Sequence, residues 1–126
     1  MNCLIKYIFI LLISYSSFAN ENITNQILFV INNKVFTNID LEVRRNYVAS
    51  INDLLSSEFS EPENQEILND YISSLIFYEY YIENNIVFKN LNNEIESIYK
   101  KNFQDSSKLD QVEIKNFKIN TKIDLI

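Results

Sequence analysis

Apolar and polar positions along this chain are spaced first as in strands and then as in helices. Ile27 to Ile31 is a short apolar run rich in β-formers, and Val35-Phe36 resumes it after Asn32-Asn33. Both asparagines can take the positive φ that a type I′ hairpin turn requires. Thr37 fits a helix N-cap, with Asp40 three residues on as an acidic variant of the capping box. "QILFVINNKVFTNIDLEVRR" therefore reads as a minimal hairpin running straight into a helix. The alternative is an irregular extended segment ahead of the same helix start.

From Asn38 to Ser57 the helical period places Arg44, Tyr47, Val48, Ile51, Leu54 and Leu55 on one face. "SSEFSEPEN" breaks the pattern, and Pro62 suits the first turn of the next helix. That second helix is predicted over Glu63 to Glu83. Leu68, Tyr71, Ile72, Leu75 and Ile82 share one face, Phe77, Tyr80 and Tyr81 project from the opposite one, and Ile76 lies at the margin. A helix apolar nearly all round is either buried on two sides or carries an exposed surface for binding. Asn85 fills the left-handed stop position that glycine normally takes.

Ile86-Val87-Phe88 is a short extended link. A third helix follows over Leu91 to Phe103, with Leu91, Ile95, Ile98, Tyr99 and Phe103 on its inner face. "QDSSK" is a loop. In Leu109 to Ile126 the spacing of Val112, Ile114, Phe117, Ile119, Ile123 and Leu125 fits helix or strand, and helix is favoured. The predicted fold class is mainly α: a small N-terminal β-hairpin followed by a three- to four-helix domain.

Composition sharpens this picture. The 126 residues suit one domain, and 47% hydrophobic content suffices for a packed core. With no glycine in the chain, left-handed backbone positions fall to asparagine. The net charge of −6 repels phosphate backbones and argues against nucleic-acid binding. Tyr and Phe are many, but basic interleaving is too thin for a base-stacking surface.

Candidate chemistry is sparse. Without histidine the chain lacks the usual general base and the commonest metal ligand. The single cysteine, Cys3, permits no internal disulfide and no thiol metal site. Glu61/Glu63 and Glu94/Glu96 read as solvated surface. Asp105, Asp110 and Glu113 lack the ligand order and turn glycine of a calcium loop. No catalytic residue, metal or cofactor is expected, and an enzyme is the poorest reading.

"MNCLIKYIFILLISYSSFANE" has the layout of a secretory signal. Lys6 supplies the positive region, Tyr7 to Ile13 the apolar region, and Ser17 and Ala19 the small residues of a cleavage site. The expected organisation is a signal peptide over 1–19 and a helical domain over 20–126; an uncleaved anchor is the alternative. Cleavage removes Lys6 and Cys3, taking the net charge from −6 to −7.

"ILFVINNKVFTNIDLEVR" resembles the start of the N-terminal domain of SurA-type periplasmic chaperones and related parvulin-like foldases. That family opens with a hairpin of the form Val-Asn-x-x-x-Ile-Thr-x-x-Asp-Leu. Here Ile31-Asn32, Phe36-Thr37 and Asp40-Leu41 stand at the corresponding positions. "EILNDYISSLIFYEYYIENNIVF" is similar to the family's long second helix, with Asn84-Asn85-Ile86 in place of its Leu-Gly-Ile turn, and "NNEIESIYKKNF" to the short helix that follows. The resemblance covers residues 26–104, and Leu109 to Ile126 loosely.

The resemblance implies a periplasmic protein that binds unfolded outer-membrane-protein segments, or other extended polypeptides, through apolar and aromatic surface without catalysis. Phe77, Tyr80 and Tyr81 are the candidate client-binding residues. Nothing in the chain resembles the family's parvulin domains, so prolyl isomerase activity is not carried over. The family completes this domain with a helix from its far C-terminus. Either Leu109 to Ile126 takes that role, or a second copy or helper subunit supplies it, or the chain is a fragment of a longer isomerase. A structural subunit docking on one periplasmic or membrane partner is the competing function. The exported protein is expected to begin after Ala19, which mass spectrometry checks; a mature mass that retains Cys3 contradicts it.

Overall fold

The computed structural model describes residues 25–103 and 109–126; the signal segment and the QDSSK loop lie outside these residues. The fold is mainly helical, with an antiparallel two-stranded hairpin ahead of four helices.

Strands β1 (Ile27–Ile31) and β2 (Lys34–Thr37) pair with Val30 opposite Val35 and Ile31 opposite Lys34. Asn32 and Asn33 turn the chain with φ of 48° and 62°, the pair of positive angles a two-residue hairpin loop needs. Helix α1 (Asn38–Ile51) starts where β2 ends. The Thr37 N–H and hydroxyl both donate to the Asp40 carboxylate at 2.7 Å, and the Asp40 N–H donates back to the Thr37 hydroxyl at 3.4 Å. The hairpin base is pinned to the same helix start: the Asn38 N–H donates to the Gln26 carbonyl at 3.0 Å and the Gln26 N–H to Asn38 Oδ1 at 2.8 Å.

Helix α1 stops earlier than Ser57. Asp53 takes the left-handed conformation, φ 54°, and the Leu54 N–H bonds the Ala49 carbonyl at 2.9 Å, closing a Schellman motif. Leu54 and Leu55 therefore leave the helical face, and Leu55 is 67% exposed. The outermost apolar position left on α1, Ile51, is exposed as well. A single 3₁₀ turn at Ser56–Glu58 leads into helix α2, which begins two residues before Glu63.

Helix α2 (Glu61–Glu83) is opened by Ser60, whose N–H donates to the Glu63 carboxylate at 2.7 Å, with Pro62 in the first turn. That hydrogen bonding, led by the Ser60 hydroxyl, holds the Glu63 carboxyl below its usual pKa. The helix ends as α1 does: Asn85 is left-handed at φ 49°, and the N–H groups of Asn85 and Ile86 bond the carbonyls of Ile82 and Tyr81 at 3.2 Å. Ile86 to Phe88 carry no regular structure. Helix α3 (Leu91–Asn102) and helix α4 (Gln111–Leu125) complete the fold. Reciprocal capping resolves the last segment as helix. The Glu113 N–H donates to Asp110 Oδ1 at 2.7 Å, and the Asp110 N–H to the Glu113 carboxylate at 3.1 Å.

The inner stripe of α2 is Ile67, Tyr71, Leu75 and Glu79, every fourth residue. Tyr71 and Leu75 stand in it as the sequence predicts, whereas Leu68 and Ile72 are half-buried and Ile82 is exposed. Tyr71, Leu75 and Ile123 form one core cluster, on which Phe29, Ile31 and Phe36 of the hairpin pack. Tyr47, Tyr99 and Phe117 form another, joining α1, α3 and α4.

Arg44 lies between the clusters and is only 1% exposed. Its guanidinium sits 5.2 Å from the Tyr47 ring centre and 5.3 Å from that of Tyr71. Its Nη2 reaches Asp70 of α2 at 3.0 Å and Asp124 of α4 at 2.7 Å. Burial pushes both phenols up to about 12, with Asp124 adding to the effect on Tyr47 and Asp40 to that on Tyr71. Both therefore stay neutral beside the cation at ordinary pH.

Because Asn33 holds a left-handed conformation, Asn33→Gly is expected to be neutral or slightly stabilising. Asn33→Val is expected to cost on the order of 1 kcal/mol or more. Urea unfolding of both variants checks this, and equal midpoints contradict the turn.

Candidate functional site

Helix α2 presents two unlike faces. The inner face is fully engaged: Tyr71 packs edge-on against Phe29 and Phe36, with ring centres 6.3 and 6.2 Å away. One turn short of its end, Glu79 is buried and accepts from Lys34 Nζ at 2.6 and 2.8 Å. At the last residue, Glu83 accepts from Asn32 Nδ2 at 2.8 Å. The hairpin thus lies along α2 with its tip toward the helix C-terminus.

The outer face has no such cover. Phe77 is 65% exposed, Tyr80 60% and Ile76 53%. Their spacing puts Phe77 and Ile76 each within one turn of Tyr80, so the three side chains make one apolar surface. Nothing on α2 itself explains the choice of large apolar residues here, since a solvated helix face is ordinarily polar.

Tyr81, grouped with Phe77 and Tyr80 in the sequence reading, is turned aside. It is half-buried, its ring 6.4 Å from Tyr78 and 5.5 Å from Phe88. Phe88 comes back along the helix from the exposed link, where Val87 lies open. Tyr81 therefore walls the patch on one side instead of projecting from it. The outward Val30–Val35 pair of the hairpin is a further exposed apolar spot, on a different element.

The buried carboxylate Glu79 is held by Lys34, the buried cation Arg44 by two aspartates, and the described residues contain no group of three or more His, Cys, Asp or Glu able to hold a metal ion. Among the described residues, no helix is long and apolar enough to cross a membrane. What the outer face can do is bind apolar groups.

Comparison with known proteins returns no matching family model, no matching curated protein and no matching solved structure.

Sequence reasoning separated the two faces of α2 but missed Glu79. Its spacing from Ile67, Tyr71 and Leu75 was the available signal, overridden by its charge. It also placed Arg44 on the inner face of α1 without identifying Asp70 and Asp124 as partners.

Phe77→Ser and Tyr80→Ser are expected to change stability by no more than about 0.5 kcal/mol, as at open surface positions. Tyr81→Ser is expected to cost about 1–3 kcal/mol through lost packing on Tyr78 and Phe88. Chemical denaturation of the three variants checks the order; a large loss in all three contradicts an open outer face.

Proposed function

We propose that this chain is a chaperone-like binding module that holds extended, aromatic-bearing polypeptide segments on the outer face of α2. The observation that carries this reading is the exposure of Ile76, Phe77 and Tyr80 on one helix face. Apolar surface of that kind marks an interaction site, and Phe77 and Tyr80 are the most exposed aromatics among the described residues. The mechanism is passive. Contact with the patch withdraws apolar client surface from water, with no ATP, cofactor or covalent step, and the acidic character of the chain favours solubility of the complex.

The order of elements supports the SurA N-domain reading. A short hairpin with asparagine turn and Thr-x-x-Asp cap runs into a helix, and a long second helix follows. On that reading the protein works in the periplasm, its clients are unfolded outer-membrane proteins, and it is not an enzyme. One feature favours the competing role of a subunit docked on a single partner. Phe77, Tyr80 and Ile76 sit on a rigid helix, as anchors for a fixed groove do.

The test is suppression of aggregation of a urea-diluted outer-membrane protein, followed by light scattering. The Phe77→Ser/Tyr80→Ser double variant is expected to keep its melting temperature and lose most of the suppression. Undiminished suppression by a folded double variant overturns the proposal.

A further inference from the structure

The outer face of α2 combines exposed apolar side chains with carboxylates along the same helix. The 23 residues of α2 include Glu61, Glu63, Glu66, Asp70, Glu79 and Glu83 but no Lys or Arg. Cations from other elements that reach this helix meet its inner or flanking side. Lys34 binds Glu79, Arg44 binds Asp70, and Lys122 lies 5.6 Å from the Tyr78 ring centre. Glu66 and Glu83 are exposed and flank the Ile76–Phe77–Tyr80 patch along the helix. The partner of Glu83 is the neutral amide of Asn32, and among the described residues it makes no ion pair. An apolar centre with a carboxylate toward each end rejects acidic segments and attracts basic ones.

We infer that the occupant of this face is an extended polypeptide segment with aromatic or apolar residues at its centre and Lys or Arg toward both ends. The inference rests on the client-binding reading and specifies its client class. The distance from Glu66 to Glu83 is roughly 26 Å at the helical rise per residue. About eight residues of extended chain span it. The apolar centre supplies the contact, and the flanking ion pairs choose between clients and speed their capture.

Fluorescence anisotropy with labelled octapeptides tests this. Each has a Ser-Phe-Ser-Tyr centre and two Lys, two Gln or two Glu at each end. The Lys peptide is expected to bind roughly tenfold or more tighter than the Glu peptide at low salt, as a few exposed ion pairs allow. The gap should close in about 1 M salt, where screening reaches only ~3 Å. Glu66→Gln/Glu83→Gln should narrow the gap without altering the melting temperature, and Phe77→Ser should weaken every peptide. Equal, Phe77-dependent binding of all three peptides overturns the charge inference and leaves the chaperone reading standing. Absence of binding by any peptide at about 1 mM overturns both. A Phe77-dependent dimer in sedimentation velocity that excludes the peptides overturns the inference in favour of a second copy of this chain.

Discussion

A buried guanidinium sets the terms for the rest of this fold. Arg44 cannot leave water without compensation, because an unpaired charge in the interior costs far more than the stability of a small domain. Two carboxylates and two aromatic faces supply it, and they come from three helices: Tyr47 from α1 itself, Asp70 and Tyr71 from α2, Asp124 from α4. The Nε and Nη1 atoms have no hydrogen-bond partner among the described residues, so the ring faces carry the remaining compensation. Such a hub contributes little net stability compared with apolar packing, but it tolerates few alternative arrangements. Asp70 and Tyr71 tie one side of α2 to it.

The opposite side of α2 carries the exposed Ile76, Phe77 and Tyr80. The hairpin reinforces the orientation by laying Phe29 and Phe36 on Tyr71 and Lys34 on Glu79, all on the inner face. The outer aromatics are therefore not spare core residues awaiting a neighbour within the described fold. They sit on a helix capped at both ends, on the side away from the hairpin and the core.

Backbone features were the most legible part of the sequence. In a chain without glycine the left-handed positions had few places to go, and among the described residues Asn32, Asn33 and Asn85 hold three of the five at the predicted places, while Asn90 holds one that was not singled out. Asp53 holds the fifth, and it was not foreseen: Leu54 and Leu55 continue the period of α1 so well that the stop between them and Ile51 is invisible to pattern alone. Side-chain pairing across the sequence was not legible. Glu79 looks like surface until Lys34, 45 residues earlier, is brought beside it. Tyr81 looked like Phe77 and Tyr80 because the return of Phe88 is a property of the link rather than of the helix.

The dependence of the fold on Arg44 is tested most directly by a double-mutant cycle measured by chemical denaturation. Asp124→Asn is introduced both into the natural chain and into Arg44→Met. The account predicts a loss of about 1–3 kcal/mol in the natural chain, where the guanidinium loses a partner, and almost none when methionine has replaced it. An equal loss in both backgrounds would mean that Asp124 acts independently of Arg44, contradicting the hub.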